Sequence, residues 1–273
     1  MNEFLMRILL LSLAMVSGIR LNAQAALLET GYRQMYNLQF DEAHGTFHDW
    51  ERLRPDDPMG PVSDAAAYLF TEFDRLHILQ SEFFLDDQNF ETRRKLSPDP
   101  VLKRKFLDAL ARSEVLAKRV LERAPEDANA LFATVLRLGL RADYLALVEK
   151  RYLASLSDVK TSRLLAEKLL ANDPDNGDAY LAIGVENYLL SLKPAPLRWL
   201  LRIGGAQTDK ERGIEKLSIT AEKGHYLLPY ARVLLAVAAL RDHNWSRARE
   251  LLDWLAREFP HNRLYPEELA RLQ

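Results

Sequence analysis

The 273-residue chain has no cysteine, which excludes a disulfide framework, a thiolate metal site, a cysteine nucleophile and a lipidated cysteine anchor. Glycine and proline are scarce, 11 and 12 residues. An all-β chain needs a turn about every 8–12 residues, so helices are favoured. Charge of one sign is also missing: 37 Lys and Arg stand against 39 Asp and Glu, with no basic block of the kind that neutralises phosphates. Nucleic acid is therefore not an expected partner. There is no Walker loop, dinucleotide glycine fingerprint, nucleophile elbow or zincin motif. Asp173–Asp178 fails as a calcium loop, because Gly177 takes a ligand position and no glutamate closes it. No nucleophile–base pair stands out, so neither an enzyme nor a cofactor is expected. What is present, 48 % hydrophobic and 28 % charged residues, is the balance of a folded body.

The N-terminus reads as a targeting segment. Residues 8–19, ILLLSLAMVSGI, follow Arg7 and precede Ala23-Gln24-Ala25, the small-x-small pattern that export proteases cut. A signal peptide over 1–25, cleaved after Ala25, is expected, with a periplasmic or secreted product. The run is short of the roughly 20 apolar residues that span a bilayer. The longest later stretch, Val233 to Leu240 between Arg232 and Arg241, reads as a core helix. Residues 26–273 are thus expected as one domain with no stable membrane insertion.

Four prolines share a context: Arg54-Pro55-Asp56-Asp57, Ala124-Pro125-Glu126-Asp127, Asp173-Pro174-Asp175-Asn176 and Phe259-Pro260-His261-Asn262. Proline ends one helix, and the Asp or Asn two residues on can cap the next with its side-chain oxygen. Twelve residues before each proline stands a small residue, Ala43, Ser113, Ser162 and Ala248, as a close helix crossing demands.

These residues resemble the tetratricopeptide repeat, whose pattern ends in A-x3-F and then P. Gly31, Ala43-x3-Phe47 and Pro55 follow it, as do Ala236, Ala248-x3-Leu252 and Pro260, while Tyr180-x2-Ile183-Gly184 matches a first helix. The resemblance implies an all-α solenoid of about five helix-turn-helix pairs: 26–54, 61–124 with an insertion at 81–98, 127–172, 176–223 with an insertion at 192–208, and 227–259. Residues 263–273 would form a capping helix, and Gly224 a left-handed cap closing the fourth pair.

In this family the first helix of each pair lines a concave groove. Carried onto this chain, that implies groove positions Tyr32, Met35 and Leu69, then Phe132 and Leu136, then Leu181, Val185 and Tyr188, and finally Tyr230, Val233 and Val237. The basic clamp that chaperone-binding members use for a terminal carboxylate is absent. An apolar groove either takes an apolar protein or peptide segment, as in an adaptor, or holds a hydrophobic small molecule, as in a carrier or transport accessory, or is filled by the chain itself. The insertion at 81–98 carries Phe83, Phe84, Leu85 and Phe90 as a lid or as packing. The other opens Lys193-Pro194-Ala195-Pro196 and continues into Arg198, Trp199 and Arg202, which read as internal packing, as a binding hot spot of the residue types that dominate such spots, or as a membrane-surface contact. His44 and His48 sit one helical turn apart with Asp41 or His77 in reach. They are expected as surface histidines, and no metal site is assigned.

Overall fold

The computed structural model describes residues 26–80, 96–193 and 195–272. The expected signal segment 1–25 lies outside the described residues, as does 81–95, which carries the phenylalanines of the first insertion. Among the described residues the chain is all-helical with no strand. Its helices are α1 (26–36), α2 (Phe40–Leu53), α3 (Met59–Arg75), α4 (Pro100–Arg123), α5 (Ala128–Asp143), α6 (Tyr152–Asn172), α7 (Tyr180–Ser191), α8 (Ala195–Ile203), α9 (Lys210–Lys223), α10 (Leu228–Arg241), α11 (Trp245–Glu258) and α12 (Leu264–Arg271). A π-helical turn, Tyr144–Val148, prolongs α5. Apart from α8, each helix from α2 onward packs chiefly on its neighbours in order, with α7 against α9 across the α8 insertion.

The four proline junctions behave alike. α2, α4, α6 and α11 each stop two residues before Pro55, Pro125, Pro174 and Pro260. The intervening residues Arg54, Ala124, Asp173 and Phe259 take φ of −137°, −137°, −135° and −126° with ψ of 67–84°. Proline's Cδ forbids the residue before it a helical ψ. Two residues past each proline, a side chain caps the next helical turn. Asp57 accepts from Met59 N (2.9 Å), Asp127 from Ala130 N (2.9 Å), Asn176 from Ala179 N (3.3 Å) and Asn262 from Leu264 N (3.0 Å).

The small residues are where helices cross. Ala43, Ser113, Ser162 and Ala248 are all buried. The two serines also bond across the crossing: Ser113 Oγ donates to Pro58 O, Ser162 Oγ to Val135 O. A fifth small residue at a crossing lies beyond the α8 insertion. It is Gly213, where an added Cβ would lie 2.5 Å from the backbone N of Tyr188. Gly213→Ala is expected to lower stability by about 1–3 kcal/mol despite alanine's better helix propensity, because backbone cannot yield as a side chain can. Gly45→Ala, on the open face of α2 with nothing near a new Cβ, is expected to raise it by about 0.5–1 kcal/mol. Urea unfolding midpoints of the two variants give both signs, and a Gly213→Ala protein as stable as the parent would contradict the crossing.

Gly224 is not a left-handed cap. It is extended, φ −65° and ψ 148°, and is glycine because a Cβ would meet Thr220 O at 2.6 Å and Asp178 Oδ1 at 2.7 Å. The left-handed positions fall instead on Leu38, His77, Lys150 and His243, with φ between 55° and 61°, after α1, α3, the π-turn and α10, and on Gly205, with φ 81°, after α8. Paired backbone bonds close three of these ends, as in Gln39 N to Gln34 O (2.9 Å), Ile78 N to Phe73 O (2.8 Å) and Asn244 N to Ala239 O (2.8 Å), the geometry of a Schellman motif.

The first and last helices of the described chain lie against each other. Asn262 Nδ2 donates to Tyr36 O (2.9 Å), His261 N donates to Asn37 Oδ1 (3.1 Å), Arg33 pairs with Glu258 (3.3 Å), and Arg263 pairs with Asp74 (2.8 Å). The Tyr36 and Phe259 rings meet at 5.6 Å. The described chain therefore closes on itself and encloses the face that the sequence suggested as a groove.

Candidate functional site

The enclosed interior is built from side chains of α1, α3, α5, α6, α7 and α10 and from one loop. The loop joining α9 to α10 puts the Tyr226 ring 5.0 Å from Tyr32 and 6.4 Å from Phe132. Its backbone is fixed by the buried Asp178, whose Oδ1 accepts from His225 N and Leu227 N (2.9 Å each) and whose Oδ2 accepts from Tyr226 N (3.0 Å). Tyr226 O in turn accepts from Tyr36 Oη (3.1 Å). The chain's own aromatic rings thus occupy the space between the helices.

What remains is a chamber of about 70 Å³. Six of the expected groove residues line it: Tyr32, Met35, Leu136, Leu181, Val185 and Tyr230. The other five do not. Leu69, Phe132 and Tyr188 are buried in the packing between helices, and Val233 and Val237 lie half-buried on α10 away from the chamber. Six of the eleven expected groove positions thus meet in one cavity and five do not, and Tyr226 with the end-to-end contacts fills the face with the chain's own residues.

Asp143, at the C-terminal end of α5, belongs to this interior although its charged neighbours in sequence suggest the surface. Its side chain faces the chamber, and its carboxylate accepts one hydrogen bond, from Tyr230 Oη at 3.2 Å. The neighbouring cation does not neutralise it. Arg141 is held by Asp158 through two bonds of 2.6 and 2.5 Å. Burial without a counter-ion pushes the Asp143 carboxyl up to about 7, opposed in part by the Tyr230 bond. Burial likewise raises the Tyr230 phenol, so the pair is a neutral acid beside a neutral phenol at mildly acidic pH.

Two clusters at the outside bring titratable groups together. His44 Nδ1 lies 2.5 Å from Asp64 Oδ1 and His48 Nε2 3.3 Å from Asp64 Oδ2, with Asp64 only 1 % exposed. His44 is therefore not a surface histidine, and neither Asp41 nor His77 joins it. His48, Glu51 and Asp64 are close enough to share an ion, but the Arg112 guanidinium already pairs with Glu51 and stands 3.7 Å from Asp64. A cleft of about 430 Å³ beside the π-turn is lined by Lys103, Arg141, Tyr144, Glu149, Arg151 and Asp158. Its cations are matched internally, Lys103 and Arg151 to Glu149 and Arg141 to Asp158.

The second insertion gives the clearest exposed feature. α8 buries none of its residues. Pro196, Trp199, Leu200 and Ile203, at i, i+3, i+4 and i+7, form one stripe, and it faces solvent: Trp199 is 67 % exposed, Leu200 59 % and Ile203 64 %. The arginines turn the other way. Arg198 Nη1 donates to Ser191 O and Lys193 O (3.1 Å each), and Arg202 donates from Nε to Thr208 Oγ1 (2.6 Å) and from Nη2 to Thr208 O (3.3 Å). Lys160 Nζ closes the far end on Gly204 O at 2.7 Å. The helix is held to the body by its polar side and presents its apolar side outward, the reverse of a helix stabilised by its own core.

Searched against protein-family models and against curated protein sequences, the chain gives no match.

Proposed function

We propose that this chain is an exported, non-catalytic binding protein built as a tetratricopeptide-like superhelix of about five helix pairs, and that its docking element is α8, with the concave face serving as core. The repeat reading is supported by the four equivalent proline junctions and the buried small residues, together with Gly213 in the fourth pair. The observation that carries the functional reading is the outward stripe of Pro196, Trp199, Leu200 and Ile203. A soluble body gains nothing by holding an apolar stripe in water with arginine-to-carbonyl bonds, so the stripe is covered in use.

A photo-crosslinking residue in place of Trp199 tests this in the cell, with the exposed Arg257 on α11 as the control position. Adducts formed from position 199 and absent from position 257 support docking through α8. No adduct at 199, or equal labelling at both positions, removes it.

The chamber bears on the carrier reading. It is an apolar space with the carboxyls of Asp143 and Asp178 at its wall. At about 70 Å³ it has half the roughly 150 Å³ of an engineered cavity that takes benzene, and lies far below the roughly 300 Å³ at which ligand pockets begin. Native mass spectrometry of protein purified without detergent should therefore show the bare mass. A retained mass of several hundred daltons, released on denaturation, would favour the carrier reading instead.

A further inference from the structure

We infer that the surface covered by α8 is an anionic lipid surface, an inference that rests on the docking role proposed above. Charge complementarity selects it. From Asn187 to Thr208 the chain has no acidic residue, while Lys193, Arg198 and Arg202 are basic. Lys160 adds a fourth cation at the end of the helix.

The shape agrees with the charge. α8 is a convex ridge of nine residues with none buried, and its flanking arginines lie behind an apolar front of Trp199, Leu200 and Ile203. Such a ridge enters a deformable headgroup layer without needing a matching groove. An amphipathic helix with Trp and Leu on one face and Arg on the other lies in the plane of a membrane, its apolar face at the acyl boundary and its cations among the headgroups. Among the described residues no helix is long and apolar enough to cross a membrane, so the contact is peripheral. Three large side chains on one short helix make it reversible and dependent on the lipid's charge. The helix is already formed and braced by the Arg198 and Arg202 bonds, so little ordering entropy opposes docking.

The test is co-sedimentation of the full-length protein, as isolated from the expressing cell, with vesicles of phosphatidylglycerol mixed into phosphatidylcholine and with pure phosphatidylcholine vesicles. The comparison protein is Trp199→Ser/Ile203→Ser, whose side chains are exposed and whose helical circular dichroism should match the parent. The parent is expected to bind the anionic vesicles, with binding reduced at least about tenfold in the double variant and weakened by salt. Any contribution from the N-terminal apolar run is common to both proteins and cancels. The parent minus Trp199→Phe emission spectrum should shift to the blue on binding. Equal binding of parent and double variant, or no binding of the parent to anionic vesicles, overturns the lipid assignment. Crosslinking from position 199 then separates the two failures: a discrete protein adduct leaves α8 as a docking element for a protein, and no adduct removes both readings.

Discussion

Asp178→Ala is expected to cost about 3–5 kcal/mol and to lower the melting temperature by roughly 10 °C or more. One carboxylate, 5 % exposed, accepts all three consecutive amides of His225, Tyr226 and Leu227. Burial pushes the Asp178 carboxyl up and the three amides hold it down; such bonds contribute roughly 1 kcal/mol each, and an amide left buried without a partner costs more than the bond it lost. The damage also spreads. The loop delivers Tyr226 between Tyr32 and Phe132, and Tyr226 O receives the Tyr36 hydroxyl. Losing the loop therefore loosens the contact of the first helix with the last third of the chain. Asp178→Asn keeps one carbonyl oxygen for two of the amides but turns an NH2 toward the third, so an intermediate loss is expected. Urea titration followed by tyrosine near-ultraviolet dichroism measures both, and a loss under about 1 kcal/mol for the alanine variant would show that the loop stands without its carboxylate.

Local rules explain which parts of this architecture could be read from the residues. Proline acts on its own amide and on the residue before it, and a capping carboxylate acts two or three residues away, so the four junctions after α2, α4, α6 and α11 are written in stretches of four residues. The small residues Ala43, Ser113, Ser162 and Ala248 stand a fixed distance from those prolines and were legible with them. Gly213 was not, because α9 ends at Lys223 with His225 where the others have a proline, and an inserted helix separates it from Gly184. Apart from Gly205 after α8, the left-handed positions were equally hidden. Leu38, His77, Lys150 and His243 carry no glycine or asparagine to mark them; backbone bonds at the helix ends hold them there, and Gly224 drew attention for a conformation it does not adopt.

The interior obeys a different logic. The fate of a concave apolar face depends on contacts such as Asn262 to Tyr36 and Tyr226 to Tyr32, which join residues some two hundred positions apart, and no periodicity encodes those. Asp143 was nevertheless within reach. It stands seven residues after Leu136 and four after Gly139 on the same helix, so extending the groove-facing register of α5 by one turn puts it inside. On α8 the period of the apolar residues was visible, but the direction the stripe faces was not. Arg198 and Arg202 decide it by reaching backbone and hydroxyl oxygens of the segments that flank the helix.

The register of Asp143 leads to the second large effect, which depends on pH. Its folded-state carboxyl titrates near 7, against about 3.9 in an unfolded chain. Between those values the folded protein keeps a proton that the unfolded protein has released. The stabilising contribution is therefore complete below about pH 4, declines as the pH rises, and is gone above about 7. Three pH units of mismatch correspond to about 4 kcal/mol at most; the partial opening of Asp143 toward the chamber, where water can reach it, reduces the expected figure to about 2–3. Asp143→Asn removes the titration while its amide oxygen still accepts from Tyr230. The variant is expected to match the parent near pH 4 and to melt about 5–10 °C higher at pH 8. Asp178, the other carboxylate at the chamber wall, is unchanged in both proteins, so it does not contribute to the difference. Tyr230→Phe takes away the one bond that favours the ionised carboxylate, so the decline in stability should move to still higher pH. Melting temperatures across pH 4–9 for the three proteins test the whole scheme, and superimposable curves for the parent and Asp143→Asn would mean that the carboxyl is solvated and the chamber open to bulk water.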